Sequence, residues 1–321
     1  MPAAGPIPAR WHGKPYYSLD AWCKNTYGRK LYKVAIESGC TCPNRDGTIG
    51  YGGCIFCSAG GSGDFAVPAG TSVREQIDQG KKLLSGKWDL CADTPSLIAY
   101  FQSYTNTYGD PEYLSALFAK ALSQPDVAGI SIGTRPDCLG EDILEKLDEL
   151  KRAWPDKFIW IELGLQTIHD RTAALIRRGY PTSVFEDAMA RLKQHEIPAI
   201  VHTILGLPGE TKEDVLDTMG ALNRSHPFGI KLQLLHILKG TDLAALYENG
   251  EISALSKEDY LELVTDCIAV LDPSICIHRI TGDGPKELLL APRWSLNKRD
   301  VLNSIHSRLK SRAICQGQGM K

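Results

Sequence analysis

Three cysteines, Cys42, Cys54 and Cys57, stand on one short stretch with the spacing C-x11-C-x2-C. The stretch from Gly39 reads GCTCPNRDGTIGYGGCIFC. Thiolate is the soft, electron-rich ligand that iron–sulfur clusters require. A [4Fe-4S] cubane held by three cysteines keeps one iron open, and that iron can chelate an amino and a carboxylate group of a small molecule. Glycines at 47, 50, 52 and 53 let the loop wrap closely round such a cube. Two other readings stand beside this one. A lone C-x2-C is often half of a zinc site, and Cys40 with Cys42 could complete a four-thiolate set. A dithiol redox pair is the weaker alternative, because the motif does not open a helix in a thioredoxin-like pattern. Cys23, Cys91, Cys138, Cys267, Cys276 and Cys315 are scattered and are expected to be buried or inert.

The elements that must position this loop alternate along the chain. Apolar runs of strand length lie at 31–36, 96–102, 127–132, 158–163, 199–204 and 229–236. Most are near-continuous rather than alternating, which suits strands buried on both faces. Amphipathic stretches fall between them at 72–84, 111–122, 141–153, 170–177 with 183–195, and 212–223, and a further one spans 257–271. Thr71 and Thr211 stand where helix N-caps belong. Six strand–helix units in series predict a parallel sheet with right-handed crossovers, closed only partly into a TIM-like (β/α)6 barrel. In such folds the chemistry sits at the C-terminal strand ends. Gln102, Arg135, Glu162, Gln166, His202 and His236 are read at or just after those ends. A short strand near 275–280 and a basic helix near 298–312 close the chain, and the Gly-rich stretch 58–70 reads as a loop. This divides the chain into a basic N-terminal extension (1–29), a barrel core (30–245) and a C-terminal extension with a basic last helix (246–321).

No apolar run reaches spanning length (about 18 residues), and the N-terminus has no signal-like apolar region, so a cytoplasmic protein without a membrane role is expected. In that reducing setting ten cysteines read as metal or redox chemistry rather than disulfides. The net charge is −2, yet residues 1–33 carry +5 and residues 291–321 carry +6, leaving the middle at −13. Basic ends suit either a solvated terminus or a phosphate-facing surface.

Several blocks together resemble a known family. TCPNRDGTIGYGGCIFC, YFQSYTNTYG at 100–109, IGTRPDCL at 132–139, ELGLQT at 162–167, HTILGLPGET at 202–211, KLQLLHILKGT at 231–241 and HRITGDGP at 278–285 occur in the order seen in bacterial radical S-adenosylmethionine (SAM) proteins related to the Elongator catalytic subunit. The first cysteine spacing is longer than the commonest radical SAM signature, as is usual in that branch. The resemblance implies a radical SAM partial barrel, a [4Fe-4S] cluster on Cys42, Cys54 and Cys57, and SAM at the open iron. It makes Cys40 a bystander and sets Phe56 beside the adenine. Gln102 would lie near the SAM amino group, although the family's usual Gly-Gly-Glu is absent. Gln166 and Arg178 match the SAM-binding pair of the similar oxygen-independent coproporphyrinogen oxidases, with Arg178 forking onto the SAM carboxylate. His202 stands where those oxidases have an acidic ribose contact. Gly133 replaces an acidic residue for which Glu162 would compensate.

The implied chemistry is one-electron reduction by a flavodoxin or ferredoxin-type donor, reductive cleavage of SAM, and hydrogen abstraction by a 5′-deoxyadenosyl radical. The resemblance also implies tRNA as substrate, with wobble carboxymethylaminomethyl-uridine converted to aminomethyl-uridine. Tyr104, Arg135, Lys231, Gln233, His236, His278 and Arg279 are then the candidates to meet the base, and the basic ends would meet its phosphates. The Elongator subunit's acetyltransferase domain is expected to be absent. Two alternatives stay open: a radical SAM enzyme for a small molecule or tetrapyrrole, and a non-enzymatic zinc or iron–sulfur protein.

Overall fold

The computed structural model describes residues 7–61, 71–84 and 96–320. Helix α1 (Leu19–Tyr27) precedes a regular alternation: β1 (Tyr32–Ile36), α2 (Val73–Leu84), β2 (Leu97–Phe101), α3 (Pro111–Leu122), β3 (Val127–Thr134), α4 (Glu141–Ala153) and β4 (Phe158–Gln166). It continues with α5 (Asp170–Leu175), α6 (Thr182–Gln194), β5 (Ala199–Leu205), α7 (Lys212–Ser225) and β6 (Gly229–Leu234). The rest is β7 (Ile237–Leu238), α8 (Asp242–Glu248), α9 (Lys257–Val270), β8 (Cys276–Arg279), β9 (Leu289–Ala291) and α10 (Lys298–Ser311). Most of the loop expected at 58–70, and Cys91, lie outside the described residues.

The local signals explain the helix starts. Asp110 caps α3 through the Glu112 and Tyr113 amides, with Pro111 in the first turn. Thr211 and Asp214 form a reciprocal capping box on α7. At α2 the expected cap shifts by one residue: Ser72, not Thr71, accepts from the Glu75 amide at 3.3 Å, and Glu75 answers onto the Ser72 amide at 2.9 Å.

The sheet is parallel throughout, in the order β1-β2-β3-β4-β5-β6-β8. It is thus a partial barrel of seven strands, one more than the six expected. The extra strand is the one read near 275–280, which pairs with β6 rather than standing apart. Conversely, the run read as a strand through 236 stops at Leu234, and Ile237–Leu238 turn away to pair antiparallel with β9.

Alternation along each strand separates two cores. Outward residues such as Ala99, Phe101, Ile132, Leu163 and Val201 pack under the helices in one large cluster. Inward residues at the start of the strands, among them Ile98, Ala128, Trp160 and Ile200, form a second cluster with Cys23 of α1. Trp22 lies against the rings of Trp160, Phe158 and Phe228 at 4.9, 5.6 and 5.7 Å. The N-terminal segment, expected as a basic extension, therefore forms the floor of the barrel. The chain ends meet beside β8: buried Gln316 accepts from the Tyr17 amide and donates to the carbonyls of Asp272 and Ile275.

Candidate active site

The cysteine loop leaves β1 and is held from within. Asn44, nearly buried, donates to the Cys54 sulfur at 3.7 Å and to the Arg177 carbonyl at 2.6 Å. Arg45 folds back to donate to the carbonyls of Cys57 and Ser58 at 3.0 and 2.6 Å. Gly53 adopts a left-handed φ of +81°, and a Cβ there would meet Arg45 Nε at 2.9 Å. The glycine is needed for the loop to close on its own arginine.

Burial pushes the Cys54 thiol up to about 11, with the Cys57 and Cys42 sulfurs adding to the push. A buried thiol held in its neutral form in this way calls for a positive centre to ionise it, as iron does. Among the described residues no three His, Cys, Asp or Glu side chains gather tightly enough to grip a single metal ion. A cubane instead spreads its thiolates over separate irons. Cys40, the residue that would complete a zinc set, packs against the outer core and does not line the cleft. Cys23, Cys267 and Cys276 are buried, and Cys138 and Cys315 are half-buried.

Above the strand ends the three cysteines border a cleft of about 850 Å³, also lined by Phe56, Gln102 and Gln166. The Gln166 backbone is left-handed at φ +67°, and its buried Oε1 has no hydrogen-bond partner among the described residues. An unpaired acceptor in a cleft is costly unless a ligand donor meets it. That orphan oxygen, the three cysteines bordering one cleft and the glycine-closed loop fit a cluster with SAM beside it. Ser103 and Tyr104 are left-handed too, at +78° and +59°. Tyr104 donates to Ala59 O and lies under the Arg45 guanidinium. A Cβ on Gly61 would strike its ring at 2.3 Å.

One layer below lies a charged hub. Glu162, fully buried, accepts from Lys33 Nζ at 2.5 Å, Ser131 Oγ at 2.6 Å and Lys231 Nζ, and pairs with His202 Nε2 at 2.7 Å. Burial alone would raise its pKa, but Lys231, Lys33 and His202 hold it well below the usual carboxylate range. Burial, and then the Lys231 charge, pull His202 down to about 4, so it is neutral at pH 7. Burial also pushes Lys231 below the ordinary lysine range, against the pull of Glu162. Glu162 and His202 are mid-strand residues rather than strand-end ones, which is why they meet inside the barrel.

Of three further expected contacts, Arg178 and Arg135 line the cleft but spend their hydrogen bonds on the chain, and His278 lies outside it. Arg178 is 1% exposed; its guanidinium donates to the carbonyls of Tyr180, Leu165 and Thr167 and to Asp170 and Thr182. Those five bonds use the whole fork on the chain itself. Arg135 is bidentate to Asp137 and donates to the Arg178 carbonyl at 2.9 Å. His278 lines neither the cleft nor the chamber beyond it; its ring packs edge-on to Trp160 and Phe228. The β6–β8 pairing shifts there, so Arg279, not His278, comes level with Lys231.

The cleft opens into a second chamber of about 940 Å³. The two share Phe56, Tyr100, Gln102, Gln166 and His202. Lys231, Gln233, His236 and Arg279 line the far wall. Burial holds His236 near 4, and it bonds Ser295 Oγ at 3.2 Å.

The basic ends are partly neutralised. Lys33 is in the hub, Lys298 pairs with Asp283 at 2.5 Å, and Lys24 pairs with Asp20 at 3.0 Å. No described helix is long and apolar enough to cross a membrane. Reading the sequence missed Lys33, Asn44, Arg45, Tyr100 and Tyr180. The signal for Lys33 and Tyr100 was present: each is a polar-headed residue inside a short apolar strand.

The family model described as the Radical SAM superfamily matches residues 38–222, and the Radical_SAM C-terminal domain matches residues 227–311. A Bacillus subtilis (strain 168) relative, named as uncharacterized protein YtqA, is 42% identical over 313 residues, covering 98% of this chain and 95% of its own. A tRNA uridine(34) acetyltransferase of Dehalococcoides mccartyi (strain CBDB1) is 26% identical over 194 residues, covering 59% of this chain and 41% of its own. Archaeal Methanocaldococcus infernus Elp3 with an N-terminal deletion shares the fold at a TM-score of 0.65 and 16% identity. That match covers 89% of this chain, which spans only 64% of the Elp3 structure.

Proposed function

We propose that this chain, which belongs to the radical SAM superfamily and so is an enzyme that binds a [4Fe-4S] cluster and SAM, converts carboxymethylaminomethyl-uridine to aminomethyl-uridine at the wobble position of tRNA. When bound, cluster and SAM supply reductive cleavage of the sulfonium and hydrogen abstraction from an unreactive carbon. Cys42, Cys54 and Cys57 would hold the cluster, and Phe56, Gln102 and Gln166 would line SAM. Glu162, fixed by Lys33, Lys231 and His202, keeps the shared wall rigid and polar. A flavodoxin or ferredoxin-type protein would deliver the electron.

The observation that carries this reading is the second chamber, continuous with the cofactor cleft and walled by Lys231 and Arg279. A base swung out of an anticodon loop could place its arm there, beside the cofactor. The relative named as a tRNA uridine(34) acetyltransferase supports the same substrate.

The test is anaerobic. Reconstituted protein, SAM and dithionite are incubated with tRNA carrying the carboxymethylaminomethyl arm, and nucleosides are analysed by mass. Appearance of aminomethyl-uridine is the expected result. Formation of 5′-deoxyadenosine with the arm intact, and no effect of tRNA, would move the enzyme to a small-molecule or tetrapyrrole substrate.

A further inference from the structure

The charges inside the barrel do not balance. Glu162 is one carboxylate between two ammonium groups, Lys33 at 2.5 Å and Lys231. Beside Lys231, on the neighbouring strand and at the same level, stands Arg279. Arg279 is half-buried and forms no hydrogen bond or ion pair among the described residues. The carboxylate that lines the same chamber, Asp283, has both oxygens on Lys298, at 2.7 and 2.5 Å. Among the described residues the chamber therefore holds Arg279 as a half-buried cation with no carboxylate on it, an arrangement that costs free energy until an anion compensates it.

We propose that Lys231 and Arg279 form a carboxylate-binding subsite that reads the acid group on the substrate's arm. This rests on the function proposed above and adds to it which end of the arm is recognised. A planar carboxylate matches the guanidinium fork, with the lysine ammonium as second donor. Its arrival also offsets the burial that disfavours the Lys231 charge. The subsite separates substrate from product: the substrate arm ends in a carboxylate, the product arm in an ammonium that these two cations repel. Binding thus favours the unreacted arm, and loss of the acid promotes release.

The experiment compares anticodon stem-loop RNAs whose wobble uridine carries the carboxymethylaminomethyl arm, its neutral carboxamide counterpart, or the aminomethyl arm. Affinities are measured anaerobically on cluster-loaded protein with methionine and 5′-deoxyadenosine present. Wild-type protein is expected to prefer the acid over the carboxamide by about ten-fold, the scale of one charge-assisted hydrogen bond. Arg279→Met should erase that preference while carboxamide binding stays within about two-fold, and Arg279→Lys should restore part of it. Equal affinity of the wild type for acid and carboxamide overturns the subsite without needing any variant. So does an equal fall for all three RNAs in Arg279→Met, which would place a backbone phosphate there. Turnover of the acid-bearing loop, followed separately with SAM and dithionite, reports on the proposed function. Turnover without an acid preference sinks the subsite alone; an acid preference without turnover sinks the function alone.

Discussion

Glu162 on β4 meets Lys33 on β1 at 2.5 Å, although two strands, β2 and β3, lie between them in the sheet. A flat sheet would keep strands three places apart some 14 Å from each other, at about 4.8 Å per neighbour. The contact exists because the sheet curls, and Glu162 is the point on which the curl closes. Lys231, two strands away on the other side, completes the same cross-barrel tie.

Removing that carboxylate should be expensive. Glu162→Gln leaves two buried or half-buried ammonium groups facing a neutral amide. The expected loss is about 3–5 kcal/mol, the range for breaking a buried pair at one end. Urea unfolding of the variant checks it; an unchanged midpoint would mean that the cross-barrel tie carries no stability.

The cluster ligands can be told from the bystander by iron. Cys54→Ala should lose bound iron and SAM cleavage after anaerobic reconstitution while keeping its far-ultraviolet circular dichroism. Cys40→Ala, altering a residue packed on the outer core, should keep both iron and cleavage. Loss of iron from Cys40→Ala would return that thiol to the ligand set.

Arg178 separates a structural role from a cofactor one. Its donors satisfy three backbone carbonyls at the end of β4 and in the turn after α5. Lysine cannot reproduce the fork, so Arg178→Lys should destabilise by about 1–3 kcal/mol, the cost of stranding buried acceptors. SAM affinity, measured by equilibrium binding well below the unfolding temperature, should change less than stability does. The opposite pattern, wild-type stability with SAM binding lost, would give Arg178 back to the cofactor carboxylate.

The half-buried imidazole of His202 predicts a direction for acid sensitivity. Its folded pKa, about 4, lies below its ordinary value of 6.5. As pH falls, the unfolded chain takes up the proton first. The contribution is complete above pH 6.5, is lost as pH drops from 6.5 toward 4, and loses no more below that. The whole change is on the order of 3 kcal/mol. His202→Gln should flatten this part of the stability profile, read as urea midpoints between pH 7 and pH 4. An unchanged slope would show that the imidazole is not held neutral by its burial.

The cysteine loop was legible because its information is local: three thiols within sixteen residues, with glycines between them. The alternation of strands and helices was legible for the same reason. Glu162's partners were not, because they come from β1, β3, β5 and β6 and depend on how far the sheet curls. Arg178 was read as a cofactor fork from resemblance alone; the backbone carbonyls it also serves carry no residue signature. His278 and Arg279 were read together, and only the irregular pairing of β8 with β6 shows which of them comes level with Lys231.

Gln316 has a consequence for how this protein would age. It pins the start of β8 through the Ile275 carbonyl, and the far end of β8 carries Arg279. A protease cutting after Arg312 would carry that pin away while leaving the cysteine loop, at the opposite edge of the sheet, as it was. The nicked molecule would stay brown and keep consuming its cofactor. On the proposed reading it would do so idly, its hold on the acid arm lost before its fold.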